Sequence, residues 1–372
     1  SITQGQQVAA LFGALLESGW TVLFAHRTFT WTSEAANAAA VHCVIVGMGK
    51  EASSSRPLFS YRAGTGAPQM QPVSRINPYL VEGPDVFVEP RSKPLSVDLP
   101  PAVFGSMAND GGSLLLDAEG YAAASADPRA AKYVRRFVGA RELIHDLDRW
   151  CLWLTDVDPD DAARSPFLRE RIEQTMQYRA ASKRAATQKL AATPHLFGER
   201  RAPSKPYLCI PRHVSESRAY FTAARFGPEV IAGDANFVAA DPEGLAFSVI
   251  SSSAFIAWQR MVGGALESRL RFSNTLVWNT LPLPEISETD RDKLIEAGAG
   301  VLAARAEHPE RSLAQHYAPL AMDPALVKAH QRLDRVMDGI LGLRPGADEK
   351  ERQTRLIELY VRRQSGEAPS RP

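Results

Sequence analysis

Two apolar runs flanking a polar, aromatic knot constrain this chain more than any other feature. Thr21-Val22-Leu23-Phe24-Ala25 reads as a buried strand, and Val41 to Val46 as another. Between them lies His26-Arg27-Thr28-Phe29-Thr30-Trp31. An apolar stripe at helical spacing (Val8, Ala9, Leu11, Phe12, Leu15, Leu16) precedes the first run. Helix, strand and strand in this order read as the last third of a parallel α/β domain, whose first strands lie on residues outside the chain. Phosphate and cofactor loops sit at the first βα turn of such domains, so that chemistry is expected outside the chain too.

The 372 residues suit two or three domains of roughly 150 residues each. An apolar share of 45% and a charged share of 23% are those of an ordinary globular protein. No apolar run reaches the roughly 18 residues of a membrane span, and no signal peptide opens the chain. The three cysteines, Cys43, Cys151 and Cys209, are odd in number and far apart. A cytoplasmic protein with reduced, packed thiols and no membrane partner is the expectation.

The net charge of +1 hides a local asymmetry. From Phe167 to Phe226 twelve Lys/Arg stand against four Asp/Glu, a local excess of eight positive charges. Two readings fit: a footprint for a polyanion, or a solvated helix face. The basic residues continue past the helix into a Pro-rich loop at Arg200, Arg201, Lys205 and Arg212.

Residues 51–105 read as a Pro-rich linker wrapped on a surface. It contains Gly64-Thr65-Gly66 and one strand, Val86-Phe87-Val88. The spacing of Tyr133, Val134, Phe137 and Val138 predicts a helix from Pro128 to near Leu143, and Arg149 to Thr155 reads as a strand. Ser165-Pro166 is a helix start with a capping hydroxyl, and that helix can run to about Ala192. Tyr207 to Ile210, Ala219 to Phe221 and Leu245 to Ser251 read as strands, and Phe255 to Met261 as helix. From about Ser287 the chain is helical: Asp290–Ala306, Ser312–Tyr317, Pro324–Gly342 and Asp348–Arg363.

No self-contained catalytic constellation emerges, and no metal site. Asn77-Pro78-Tyr79 resembles the Asn-Pro-Pro-Tyr loop of amino-methyltransferases but has one proline where two are needed. Pro84-Asp85, Glu89 and Lys93 lack the spacing of a metal-dependent nuclease core. Asp156, Asp158, Asp160 and Asp161 lack the glycine and distal glutamate of a calcium loop. His42 and Cys43 point to opposite faces of a strand, which is poor chelate geometry.

Three segments suit nucleic acid. The knot from His26 to Trp31 lies at a strand end, where a histidine, an arginine and aromatics could cover a flipped base, or could simply pack. Pro211-Arg212-His213-Val214-Ser215-Glu216-Ser217-Arg218 suits base-edge reading, arginine to guanine and glutamate to cytosine. A cross-strand salt bridge would look the same. Arg269 and Arg271 alternate with apolar neighbours and share one face, phosphate-binding or merely wet.

The chain resembles a known family. Ser1 to Val8, Phe24-Ala25-His26-Arg27-Thr28-Phe29 with Trp31, and Ala40 to Gly47 are similar to the back half of the methyltransferase domain of MmeI-like (type IIL/IIG) restriction–modification enzymes. Ala131 to Ala140, Arg149 to Leu154, and Arg271-Phe272-Ser273-Asn274-Thr275 with Trp278-Asn279-Thr280-Leu281-Pro282 carry the resemblance onward. It implies a mixed α/β, multi-domain chain. Residues 1–50 would end a Rossmann-like methyltransferase domain, 51–285 would form a mixed α+β target-recognition domain, and 286–372 an all-α C-terminal domain.

It also implies sequence-specific recognition of double-stranded DNA for an N6-adenine methyltransferase. The S-adenosylmethionine and catalytic motifs would lie upstream, in a methyltransferase part, with a nuclease before it, so the chain alone is expected to be inactive and to bind no cofactor. Glu216 and Arg218, with Arg212, would read bases. Arg169, Lys183, Arg184, Lys189, Arg200, Arg201, Arg269 and Arg271 would hold phosphates. His26, Arg27, Trp31 and His42 would line the pocket of an extruded adenine. The alternative is a stand-alone, non-catalytic specificity module acting with a separate methyltransferase subunit.

Overall fold

The computed structural model describes residues 2–31, 41–51, 53–61, 67–266 and 269–365. Gly64-Thr65-Gly66 lies outside them. The helix Gln7–Glu17 buries Val8 and Phe12. It is followed by β1 (Thr21–Trp31), β2 (Val41–Gly49), β3 (Arg56–Tyr61) and β4 (Pro68–Val73), which form one sheet in the order β2-β1-β3-β4. The expected parallel arrangement is corrected here. β1 pairs antiparallel with β2, β3 pairs antiparallel with β4, and only β1 and β3 run parallel. The 32–40 connection is too short for a parallel crossover, which needs a dozen or more residues.

The presumed linker thus supplies two strands of this sheet. Val86 to Val88 is not a strand, although Val86 and Val88 are buried. The chain around 91–102 is stapled along the Trp278 segment. Asn279 Nδ2 donates to the Arg91 carbonyl at 2.9 Å, Trp278 Nε1 to that of Pro100 at 2.7 Å, and Asn274 Nδ2 to that of Ala102 at 2.9 Å. These side chains satisfy the carbonyls of Arg91 and Pro100, which no ladder serves, and that of Ala102 at the start of a strand.

Two further four-stranded sheets build the middle of the molecule. One joins Ala102–Phe104, Tyr207–Pro211, Ala224–Phe226 and Asn236–Ala240; the other joins Leu115–Leu116, Val134–Val138, Trp150–Leu152 and Val230–Ala232. Val134–Val138 is therefore a strand, not part of a helix. Gly139 ends it and begins the short helix Ala140–His145. Leu245–Ile250 is helix rather than strand, because the Asp241 carboxylate accepts from the N–H groups of Gly244, Ala246 and Phe247 at its start. Ala219 to Phe221 lies outside any strand. Ser165 caps the helix Pro166–Ala180 as expected, its Oγ accepting from Leu168 N at 3.0 Å. That helix stops at Ala180, and a separate short helix, Ala185–Lys189, follows.

Ser253–Val262 is helical, and the C-terminal helices Glu288–Ala306, Leu313–His316, Pro324–Ile340 and Glu349–Gln364 begin at the side-chain caps Ser287, Ser312, Asp323 and Asp348. One apolar core runs from Val22 and Ile76 through Trp258 and Trp278 to Leu294 and Leu356. The C-terminal helices thus share a core with the first sheet. No helix among the described residues is long and apolar enough to cross a membrane.

Candidate nucleic-acid interface

A three-stranded sheet joins β5 (His213–Ser215), β6 (Gly264–Leu266) and β7 (Arg269–Arg271) in the order β5-β7-β6. His213 pairs with Arg271, Val214 with Leu270, and Ser215 with Arg269. Alternation buries Val214 and Leu270 and turns His213, Ser215, Arg269 and Arg271 outward. Burial first, then Arg269, Arg212 and Arg271, pull the His213 pKa below its usual value, so the ring is neutral at pH 7. The Arg212 guanidinium lies 5.3 Å from the Phe104 ring centroid. This patch is compact, basic and rigidly based.

At Ser215 the strand ends and the chain turns. The half-buried Glu216 places Oε1 3.5 Å from His42 Nδ1 on β2. Arg218 goes the other way: it is 8% exposed, donates to Thr222 Oγ1 at 2.8 Å, and burial lowers its pKa. Glu216 and Arg218 would share a face in an extended strand. The turn at Glu216 and Ser217 breaks that alternation and sends Arg218 inward.

The turn is backed by a one-directional hydrogen-bond chain. Arg305 donates to Tyr317 Oη at 2.9 and 2.6 Å and to the Ala223 carbonyl at 2.8 Å. The Ser251 carbonyl can only accept, so His330 Nδ1 carries the proton at 3.0 Å and Nε2 accepts from Tyr317 at 2.8 Å. The His330 ring stacks on Tyr220 at 3.8 Å. Burial, with Arg305 close by, lowers the His330 pKa to about 3.

Across from this three-stranded sheet, β1 and β3 carry a strip of rings. His26 stacks on Phe59 at 4.3 Å and meets Tyr61 Oη at 2.7 Å, while Phe29 stacks on Tyr61 at 4.8 Å. Trp31 continues the strip 6.3 Å from Phe29 and is 56% exposed. Opposite Phe24 stands a glycine; a Cβ on Gly47 would lie 2.0 Å from the Phe24 ring and force it to shift. Between the strip, the turn and the last helix opens a cleft of about 720 Å³, whose walls include Arg27, Phe29, His42, Tyr61, Glu216 and Gln353. Arg27 donates to Gln353 Oε1 at 2.5 Å, and burial lowers its pKa against the pull of Glu349 and Asp348. Arg27, His42 and Glu216 therefore meet at one cleft, with His26 and Trp31 on the strip beside it.

Arg169, Lys183, Arg184, Lys189 and Arg200 are exposed, and Arg201 pairs with Glu199. Arg179, counted in the same basic excess, is wholly buried. It donates to five backbone carbonyls: Ala108, Asn109, Leu190, Thr193 and Leu196. It locks the helix Pro166–Ala180 to the segments that follow and precede it. Sequence reading missed Arg179, Arg260 and Arg305 as working residues. Arg260 alone left a signal, a lone charge in an otherwise apolar helix. The fragments that resemble catalytic or metal motifs have structural work: Asn77 Oδ1 accepts from Tyr79 N and Val81 N, Asp85 pairs with Arg75, and Asp161 pairs with Lys132 at 2.8 Å. Among the described residues no group of three His, Cys, Asp or Glu could hold a metal ion. Cys151 and Cys209 are buried and Cys43 half-buried, all as free thiols.

Comparison with known proteins assigns the three parts. Residues 82–285 match the model of the MmeI target recognition domain, residues 1–60 that of the MmeI DNA-methyltransferase domain, and residues 286–366 that of the MmeI C-terminal domain. The chain thus joins part of a DNA-methyltransferase domain to a target recognition domain and a C-terminal domain of one family. DNA methyltransferase A of Bacillus subtilis (strain 168) is 33% identical over 362 residues, covering 97% of this chain and 40% of that protein. The solved structure of the type IIL restriction–modification enzyme MmeI in complex with DNA matches with a TM-score of 0.82 at 38% identity, covering 98% of this chain and 49% of that one. The chain belongs to the MmeI family of restriction–modification enzymes. It spans less than half the length of both relatives.

Proposed function

We propose that this chain is the sequence-reading half of a site-specific adenine DNA methyltransferase of a restriction–modification system, acting on double-stranded DNA in the cytoplasm. The observation that carries this reading is the meeting of Glu216 with His42 at the cleft. A base-reading turn beside an extruded-base pocket lets one binding event both recognise a site and receive its adenine.

In this reading, the face of β5 and β7 enters the major groove. Glu216 accepts from a cytosine amino group, and Arg212 serves a neighbouring base edge or phosphate. Arg269 and Arg271, with Arg169, Lys183, Arg184, Lys189, Arg200 and Arg201, supply sequence-independent phosphate contacts. Arg218 acts through Thr222, by shaping the turn, rather than by touching a base. Arg27 and His42 line the adenine pocket, and His26 and Trp31 extend its aromatic wall. We propose domain bounds of 1–50, 51–285 and 286–372, with β3 and β4 of the second part completing the first part's sheet.

S-adenosylmethionine is assigned to the longer parent protein. The residues here do not suit it: Asn77 of the one Asn-Pro-Tyr sequence caps its own buried turn, and no glycine-rich βα loop is present in the sequence. The methyltransferase part that completes the site is the expected protein partner, covalently joined or as a separate subunit.

The test is a salt titration of binding to a pool of random duplex DNA, with the bound fraction sequenced. A steep salt slope with an enriched site is expected. Binding without enrichment at any salt concentration would overturn base reading, and no binding would overturn the whole proposal.

A further inference from the structure

We propose that Arg260 and Glu349 form a positioning pair through which the last helix fixes the base-reading turn. Preference at the base pair facing Glu216 then depends on two residues that touch no DNA. This rests on the reading of Glu216 above.

Arg260 lies near the end of the helix Ser253–Val262 and spreads its guanidinium over three partners. Nη2 donates to the carbonyls of Glu216 at 3.1 Å and Arg218 at 2.8 Å, and Nη1 donates to Glu349 Oε2 at 2.5 Å. The planar guanidinium fixes the two N–H directions of Nη2 on the carbonyls while a second nitrogen, Nη1, reaches the carboxylate; an ammonium offers its donors from one freely rotating nitrogen and cannot hold both sites in fixed geometry. The Arg260 carbonyl in turn accepts from Gln4 Nε2 at 2.7 Å, tying the helix end to the start of the chain.

Glu349 opens the last helix. Its Oε1 accepts from Gln353 Nε2 at 3.2 Å, and Gln353 Oε1 accepts from Arg27 on β1 at 2.5 Å. β1 pairs with β2, whose His42 faces the Glu216 carboxylate at 3.5 Å. The bonds form a ring around the cleft: Glu216, Arg260, Glu349, Gln353, Arg27 and, across the strand pair, His42.

The Arg260 and Glu349 side chains are 27% and 40% exposed, so the pair adds little to global stability. Its effect is orientation. The turn's own bonds are few: Ser215 Oγ to Ser217 Oγ at 2.8 Å, and Arg218 N to the Ser215 carbonyl at 3.3 Å. Without the fork, the two carbonyls turn to water and the Glu216 side chain loses the fixed direction that base-edge contact needs.

The experiment uses the full chain as wild type, Glu216→Ala, Arg260→Lys and Glu349→Gln. Each is assayed by sequencing the fraction bound from random duplex DNA at several salt concentrations, alongside thermal midpoint and amide exchange. Arg260→Lys keeps the charge and removes the fork. We expect it to reduce preference roughly tenfold at the same base pair that Glu216→Ala relaxes. Other positions of the site, the salt slope and the midpoint stay as in wild type, while the amides of 216–219 exchange faster. Glu349→Gln keeps an oxygen for Nη1 and should show the same change, smaller. Unchanged preference in Arg260→Lys beside a relaxed Glu216→Ala overturns this inference alone, as does a loss spread evenly over all sequences. If Glu216→Ala itself changes nothing, base reading by Glu216 fails and this inference falls with it.

Discussion

Behind the turn at Glu216 and Ser217, Arg305, Tyr317, His330 and Ser251 hand hydrogen bonds along one line, and each member is buried. In the basic segment a few residues separate a buried arginine from exposed charges. Arg179 gives its guanidinium to five carbonyls, while Lys183, Arg184 and Lys189 face solvent. The same side-chain types serve as mortar in one place and as a reservoir of charge in the other. What separates them is desolvation: a buried cation must satisfy every donor within the fold, whereas an exposed one is open to phosphates.

The contrast can be broken first at Arg179. Arg179→Ala would leave five carbonyls without their donor. We expect a loss of more than about 3 kcal/mol in chemical denaturation, with DNA binding lost only as the fold is lost. A stable variant with selectively weakened binding would overturn the division.

Next comes His330. Its pKa is about 3 in the fold and near 6.5 when unfolded, so the unfolded chain takes up a proton first as pH falls. Stability contributed by the neutral ring is full above about 6.5 and drains between there and about 3. Between pH 7 and 5 the wild type should lose about 2 kcal/mol more than His330→Gln, as read from denaturation midpoints. Equal losses would refute the neutral, buried ring at His330.

Glu216→Ala should relax preference roughly tenfold at one base pair and spare the fold. The smallest effect is expected from Lys183→Ala. It should weaken all duplexes alike and flatten the salt slope by about one. Should Lys183→Ala alter preference instead, the exposed segment would be reading sequence as well as holding phosphates.

The helical end was legible because its signals are local. Ser287, Ser312 and Asp348 sit where capping residues must, ahead of three-to-four apolar spacing. Leu245–Ile250 misled because a short run buried on all sides has no period to read, and only the cap from Asp241 decides it. Val134–Val138 misled for the opposite reason, a strand whose apolar residues happened to fall at helical spacing. For the site, charge could be counted but burial could not, so Arg179 and Arg218 were grouped with the exposed cations. Glu216 and His42 were each singled out, yet nothing local in the sequence brings them to one cleft. That contact depends on the tertiary packing of two distant sheets.

β1 holds one extra residue between His26 and Phe29 relative to β2, where His26 pairs with Ile45 and Phe29 with Cys43. The bulge resets the strand's parity. His26 and Phe29 would face opposite sides in a regular strand, yet their rings lie 6.4 Å apart on one side, while Arg27 reaches Gln353. The strand therefore counts residues as well as choosing them. Thr28 can be exchanged for many side chains, and even its deletion would leave Phe29 two places from His26 and on the same side, whereas pairing residues 26–29 one to one with β2, without the bulge, would carry Phe29 and Trp31 to the far side and erase the aromatic wall with every letter of the motif in place.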